Sequence, residues 1–271
     1  MREAEAEAKT EPNGPAQSDE LLVENKGRVR VLTLNRPQQK NAFNDALYDG
    51  VRDALTDAME DDSVACVVVT GAGGAFSAGQ DLGEMGNRPV HEDDEPHGFD
   101  PFVTELMSFA KPLIAAVDGV AVGVGVTMLL HCDLVLVGPS ARFRAPFVSL
   151  GIAAEAGSTA LFPSTIGWQE TAAFLFRSAW MNADEAVRTG LAWRKGDAVL
   201  EAALEVAGEI AAMPVSTLVA NKQALLAARA DLVNAARQRE NATLAKLGGG
   251  PANREALKAF MEKRPADFSN L

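Results

Sequence analysis

Two hydrophobic rhythms divide this chain. Up to about residue 200, short apolar runs alternate with segments of helical spacing; beyond that, helical spacing dominates. "LLVENKGRVRVLTLNRP" (21–37) reads as two strands around a turn at Lys26-Gly27, ended by Pro37. Phe43, Leu47, Val51, Leu55 and Met59 recur every four residues and predict a helix with one apolar face. "VACVVVTG" (64–71), "PLIAAVDG" and "DLVLVG" are nearly unbroken apolar runs, the mark of strands buried on both faces, and "ARFRAPF" is a short strand. "DPFVTELMSFA" predicts a helix stopped by Pro112, and "GVAVGVGVTMLLHC" a glycine-rich turn entering a buried helix. Residues 86–101, rich in Asn, Pro, His, Asp and Gly, read as a mobile loop.

Past Phe147, "PSTIGWQETAAFLFRSAW" predicts one helix. "NADEAVRTG" carries Asn182 as N-cap, Glu185 at the capping-box spacing and Gly190 as C-cap. Helices follow in "LAWRKGDAVLEAALEVAGEIAAM", "VSTLVANKQALLAARADLVNAARQRENATLAKL" and "NREALKAFMEK". Alternating strands and helices followed by helices alone predict an α/β core with a helical C-terminal part. The segmentation is a disordered acidic tail at 1–20, a core at 21–205 and a helical region at 206–271.

Composition narrows the function classes. A 47% hydrophobic chain of 271 residues can bury a sizeable core, and its net charge of -12 argues against nucleic acid or an anionic membrane as the main partner. A small anionic ligand remains allowed, because a local patch can oppose the global sign. No apolar run reaches the roughly 20 residues of a membrane span. The N-terminal segment has no apolar core of a signal peptide, and the closing "SNL" lacks the basic middle residue of the common peroxisomal address, so the expected location is the cytoplasm. Cys66 and Cys132 sit in apolar runs and read as small core residues in a reducing compartment.

Several familiar motifs are absent. "TGAGGAF" has Phe76 where a dinucleotide fingerprint needs its third glycine, and no phosphate-binding G-x-x-x-x-G-K-[ST] or nucleophile elbow occurs. His91, His97 and His131 lack metal-ligand spacing; the first two read as solvated loop residues and no metal is expected. Two glycine-rich turns remain, "FSAGQDL" (76–82) and "GVAVGVG" (119–125), each placed after a buried strand. Their glycines either expose main-chain N–H groups that would converge on an oxyanion, or merely permit tight packing. The other oddity is Glu155, the one charge in "SLGIAAEAGSTALF". A carboxylate in such a setting is either a solvated loop residue or an acid/base with a raised pKa.

"NRPQQKNAF", "GAGGAFSAGQDL", "KPLIAAVDGVAVGVGVTMLLHCDLVL" and "ARFRAPFVSLGIAAEAGS" together resemble the crotonase (enoyl-CoA hydratase/isomerase) superfamily over about residues 21–265. The resemblance implies a spiral of ββα units, a helical C-terminal trimerisation region, an acyl-CoA substrate with no separate cofactor, and homotrimers often paired into hexamers. It assigns the two oxyanion N–H donors to Ala78, in S-A-G-x-D, and to Val124, the middle of the run that is G-G-G in the family. It places CoA contacts on Gln38, Gln39 and Lys40, on Ala78, Gly79, Gln80, Asp81 and Leu82, on Val124, and on the C-terminal pair Phe260 and Lys263.

The family's hydratases carry two glutamates, at the positions of Thr127 and Phe147 here. The resemblance is nearer to the peroxisomal-type Δ3,Δ2-enoyl-CoA isomerases, which have a single Glu eight residues after that Phe; here it is Glu155, preceded by Ala154 where the subgroup has Pro. The implied reaction shifts a 3-enoyl-CoA double bond to 2-enoyl-CoA through a thioester dienolate, with Glu155 as sole acid/base behind apolar walls expected from Phe147, Ile152 and Leu161. Ring isomerisation, thioester hydrolysis and a silent acyl-CoA-binding paralogue are the alternatives. Asp81 is expected to cap the following helix and Asp133 to be structural.

Overall fold

The computed structural model describes residues 19–85 and 96–271. The tail at 1–18 and most of the predicted loop, including His91, lie outside the described residues. Residues 19 and 20 are not tail: the Asp19 carbonyl accepts the Asn35 amide at 2.8 Å and Glu20 pairs with Arg36 at 3.2 Å.

The strands are β1 (Leu21–Lys26), β2 (Val29–Leu34), β3 (Cys66–Gly71), β4 (Leu113–Val117), β5 (Val120–Val122), β6 (Leu134–Val137), β7 (Arg142–Arg144), β8 (Met181–Asn182) and β9 (Arg194–Lys195). Six form one sheet in the order β1-β2-β3-β4-β6-β9, antiparallel only between β1 and β2; β5, β7 and β8 form a second. From β4 to β9 the chain passes from one sheet to the other and back, which is the coil that the resemblance implies. The short β5, β8 and β9 have too few residues for a readable period and are absent from the sequence reading.

Period-two alternation builds two cores from one sheet. Leu32, Leu34, Val67, Val69, Ala115 and Val117 join the main cluster, together with Leu47, Val51 and Leu55 of α1 (Asp45–Glu60) and Phe102 of α3 (Phe99–Ser108). The intervening Val29, Val31, Cys66, Val68, Ile114 and Ala116 face α8 (Val199–Ala211), whose Val199, Ala203, Ala207 and Ala211 form a stripe of mostly small residues. The segment boundary at 205/206 therefore falls inside a helix packed on the sheet; the break comes at Pro214, before the 33-residue α9 (Val215–Leu247). Cys66 is free and buried, Cys132 free and partly buried, and burial pushes both thiols up to about 12.

α2 (Leu82–Met85) and α4 (Val124–Thr127) are short. α4 continues as a 3-10 turn at Met128–His131. The single helix expected over 163–180 is two, α5 (Ser158–Ile166) with Pro163 inside it and α6 (Trp168–Arg177), divided by Gly167 at φ 79°. α7 (Ala183–Thr189) has the expected capping box between Asn182 and Glu185, and α10 (Pro251–Met261) completes the chain.

Candidate active site

The two glycine-rich turns lie side by side. Phe76 and Ser77 both donate their N–H to the Val120 carbonyl at 3.0 Å, and Val122 N–H returns to the Ser77 carbonyl at 2.9 Å. Gly79, at φ +92°, approaches Val122 so closely that a Cβ would lie 2.7 Å from its carbonyl oxygen, and a Cβ on Gly125 would lie 2.9 Å from the Ser77 oxygen. Close backbone approach at these glycines packs the two turns against each other.

The donors themselves correct the sequence reading at one place. Val124 opens α4, so its N–H has no partner within the helix, and it has none among the described residues. Ala78 is different: its N–H is donated to the Lys40 carbonyl at 2.8 Å and is spent. The next residue, Gly79, accepts from Phe43 N–H at 2.7 Å, and Asp81, two residues beyond it, donates to the Phe43 carbonyl at 2.8 Å. Alternation along an extended segment then turns the Gln80 N–H away from Phe43, without a partner among the described residues. The Gln80 side chain is clamped, accepting from the Tyr48 hydroxyl at 2.8 Å and donating to the Phe43 carbonyl at 3.2 Å. The unspent donors are therefore those of Gln80 and Val124, flanking the contact of Gly79 with Val122.

Glu155 reaches the same helix. Its Oε1 lies 3.5 Å from Oγ1 of Thr127, the last residue of α4. Burial among apolar groups pushes the Glu155 carboxyl up to about 8, the negative charge of Glu240 adds to the rise, and the Thr127 hydroxyl opposes it. Ala154, Ala156, Phe147 and Leu161 are buried in the main cluster and Ile152 packs against it, which supplies the apolar surroundings. Both positions that carry glutamates in hydratases are uncharged and buried here, as Thr127 and Phe147.

The backbone beyond Glu155 is unusual. Ala156 (φ 60°) and Gly157 (φ 73°) are both left-handed, a conformation that costs a non-glycine residue on the order of 1 kcal/mol or more. Two buried side chains hold it. His131 donates Nε2–H to the Ala156 carbonyl at 2.9 Å, its ring kept neutral by burial that pulls it down to about 4. Glu240 of α9 accepts from Gly157 N–H at 2.6 Å, Thr159 N–H at 2.7 Å and the Thr159 hydroxyl at 2.5 Å. Sequence reasoning passed over Glu240 because "RQRENATL" looks like the solvated face of a long helix.

Gln38, Gln39 and Lys40 are exposed around a 3-10 turn at Pro37–Gln39, and Lys40 is joined to the oxyanion turn through the Ala78 bond. Asp81 caps α2, accepting Gly83 N–H at 3.0 Å, and pairs with Arg36 at 3.0 Å. Asp133 is structural as expected, accepting Leu113 N–H at 2.7 Å and pairing with Lys222 at 2.8 Å. Phe260 is exposed near the end of α10 and Lys263 just beyond it, with no hydrogen bond or ion pair to the 38–40 strip. His97 is not a solvated residue: its Nδ1 lies 2.6 Å from Asp49 Oδ2. A cavity of about 360 Å³ lies between α3, the 3-10 turn and α9, lined by His131, Arg229 and Val233 among others but not by Glu155, Gln80 or Val124. Glu155 is thus linked to the donors through α4, not through that cavity.

Residues 24–270 match the family model described as enoyl-CoA hydratase/isomerase. A 2,3-dehydroadipyl-CoA hydratase of Escherichia coli (strain K12) is 35% identical over 254 residues, covering 92% of this chain and 98% of the relative. A 1,2-epoxyphenylacetyl-CoA isomerase of the same organism is 31% identical over 248 residues, covering 89% and 95%. The crystal structure of an enoyl-CoA hydratase/isomerase from Pseudoalteromonas atlantica T6c superposes with a TM-score of 0.88 at 34% identity, over 92% of this chain and all of that one. Sequence, fold and the paired glycine turns agree, and the chain belongs to the enoyl-CoA hydratase/isomerase family of the crotonase superfamily.

Proposed function

We propose that this protein is an enzyme acting on acyl-CoA thioesters, and that its reaction moves the double bond of a 3-enoyl-CoA to the 2-position. The first part follows the family; the second rests on Glu155, the carboxylate that reaches α4 while the two hydratase positions hold Thr127 and Phe147. Glu155 removes a proton from C2, negative charge develops on the thioester oxygen, and the N–H groups of Gln80 and Val124 receive it. The same carboxyl returns the proton to C4. One acid/base serves both transfers, so a second carboxylate is not needed. A carboxyl with a raised pKa is closer to the working pH and transfers protons more effectively. Removing one oxyanion donor of this kind typically costs about 10²–10³ in rate. Buried Phe147 and Leu161 favour this outcome over hydration by keeping water from the dienolate.

The test follows formation of the conjugated 2-enoyl thioester by absorbance, starting from a 3-enoyl-CoA, with the wild type and Glu155→Gln. Turnover in the wild type and a loss of about 10²–10⁴ in the variant are expected; unchanged turnover in the variant overturns the role of Glu155. Ring isomerisation is the second reading, favoured by the 31% identical epoxyphenylacetyl-CoA isomerase. It is assayed beside 2-enoyl-CoA hydration with an aromatic epoxide CoA thioester. Binding of these thioesters without turnover of any would mark a silent paralogue. The same reading includes assembly into trimers or hexamers, supported by exposed Leu225 and Leu232 on α9 and Phe260 and Met261 on α10, and checked by sedimentation.

A further inference from the structure

Glu240 is a buried carboxylate with no role in the reaction as written. It is 3% exposed, it projects from the C-terminal third of α9, and it crosses to a segment about eighty residues earlier in the chain. There it accepts three hydrogen bonds, one from Gly157, the N-cap of α5, and two from Thr159 in its first turn, where a negative charge complements the helix N-terminus. The segment it holds begins one residue after Glu155 and contains the left-handed pair Ala156-Gly157. A Cβ on Gly157 would lie 2.7 Å from Val233 Cγ1, so α9 closes on this segment at two points.

We infer that Glu240 is a positioning residue for the Glu155 acid/base: it ties the Glu155 segment to α9 and brings a second carboxylate to it. The inference rests on the reading of Glu155 as the acid/base. Other groups around that carboxyl do not replace Glu240. α4 presents the Thr127 hydroxyl, which acts in the opposite sense, and Asp100 of α3 is paired with Arg237 of α9 at 3.1 Å. The nearby His131 is neutral, and Arg229 and Arg237 of α9 help keep it so. Glu240 acts on Glu155 more strongly than Asp100 does.

The experiment titrates Glu155 directly by carbon NMR in protein labelled at the glutamate carboxyl carbon, without substrate, and assigns its signal by its loss in Glu155→Gln. Glu240→Gln removes the charge while keeping the shape, and should lower the Glu155 midpoint by about one pH unit. Thr159→Val removes a hydrogen bond to Glu240 but leaves its charge, and should leave the midpoint where it is. The rate-against-pH profile of Glu240→Gln should move in the same direction as the midpoint. An unmoved midpoint in Glu240→Gln, or an equal shift in Thr159→Val, overturns the inference. Should Glu240→Gln not fold, Glu240→Asp decides: withdrawing the carboxylate by one methylene should lower the midpoint, and an unmoved value overturns the inference. Because no substrate is present, absence of 3-enoyl-CoA isomerisation would overturn the proposed reaction and leave this result readable.

Discussion

Thr127 Oγ1 stands 3.5 Å from Glu155 Oε1, at the far end of the four-residue helix that Val124 opens. The Glu155 carboxyl and the Val124 N–H are therefore referenced to a single short helix. Thr127 takes the place of a hydratase glutamate and, in doing so, becomes a modest hydrogen-bond partner of the remaining acid.

Thr127→Val should test that partnership. The hydroxyl favours the charged form of Glu155, so its loss raises the carboxyl's pKa further. The acidic limb of the rate profile should move to higher pH by less than one unit, with a several-fold loss of activity near neutrality. A limb that moves down, or stays, would show that Thr127 does not act on Glu155.

Stability should carry the signature of Glu155 independently of any substrate. Its carboxyl keeps its proton in the folded protein up to about 8, against a usual value of 4.5, so folding takes up a proton between those limits. The folded state binds more protons than the unfolded chain there, and stability falls as pH rises through the window, by at most about 1.4 kcal/mol per pH unit. Glu155→Gln removes this linkage. Its melting temperature relative to wild type should climb from pH 4 to pH 8 and then level off; parallel curves would refute a buried, protonated Glu155.

Gly79→Ala should damage both stability and catalysis. The position needs φ +92°, and the added carbon would meet the Val122 carbonyl at 2.7 Å, so the turns must separate. A loss of about 1–3 kcal/mol is expected from the backbone strain, with a 10²–10³-fold fall in rate as the Gln80 donor shifts. Gly74→Ala is the control: its φ is +77° but nothing lies within 4 Å, so denaturant melts should register a stability cost while the rate stays near wild type. Equal rates for both variants would separate the turn from the chemistry.

Much of the architecture is legible where burial imposes a period. The runs at 66–71 and 113–117 are hydrophobic on both faces because both are covered, and the Asn182–Glu185 capping box is a local device written within four residues. The helix expected over 163–180 is instead two, because Gly167 breaks it and the chain enters α5 earlier, at Ser158, with Pro163 tolerated inside. The site was legible in part. The glycine turns and the apolar setting of Glu155 are legible in the residues, the roles of Val124 and Glu155 only through the family resemblance, and the assignment of a donor to Ala78 does not survive the Lys40 hydrogen bond.

The sequence by itself determined which segments become strands and helices, where the two glycine turns stand, and that Glu155 occupies an apolar stretch. These are properties of neighbours in the chain: period, small side chains, caps. Only the tertiary structure decided that Gln80 rather than Ala78 has an N–H without a partner among the described residues, and that Glu240 and His131 hold the segment beyond Glu155. Those outcomes depend on hydrogen-bond partners brought from far away, 81 residues in the case of Glu240 and Thr159. A main-chain N–H looks the same at every position in a sequence; which one stays unspent is settled by the partner that folding places opposite it.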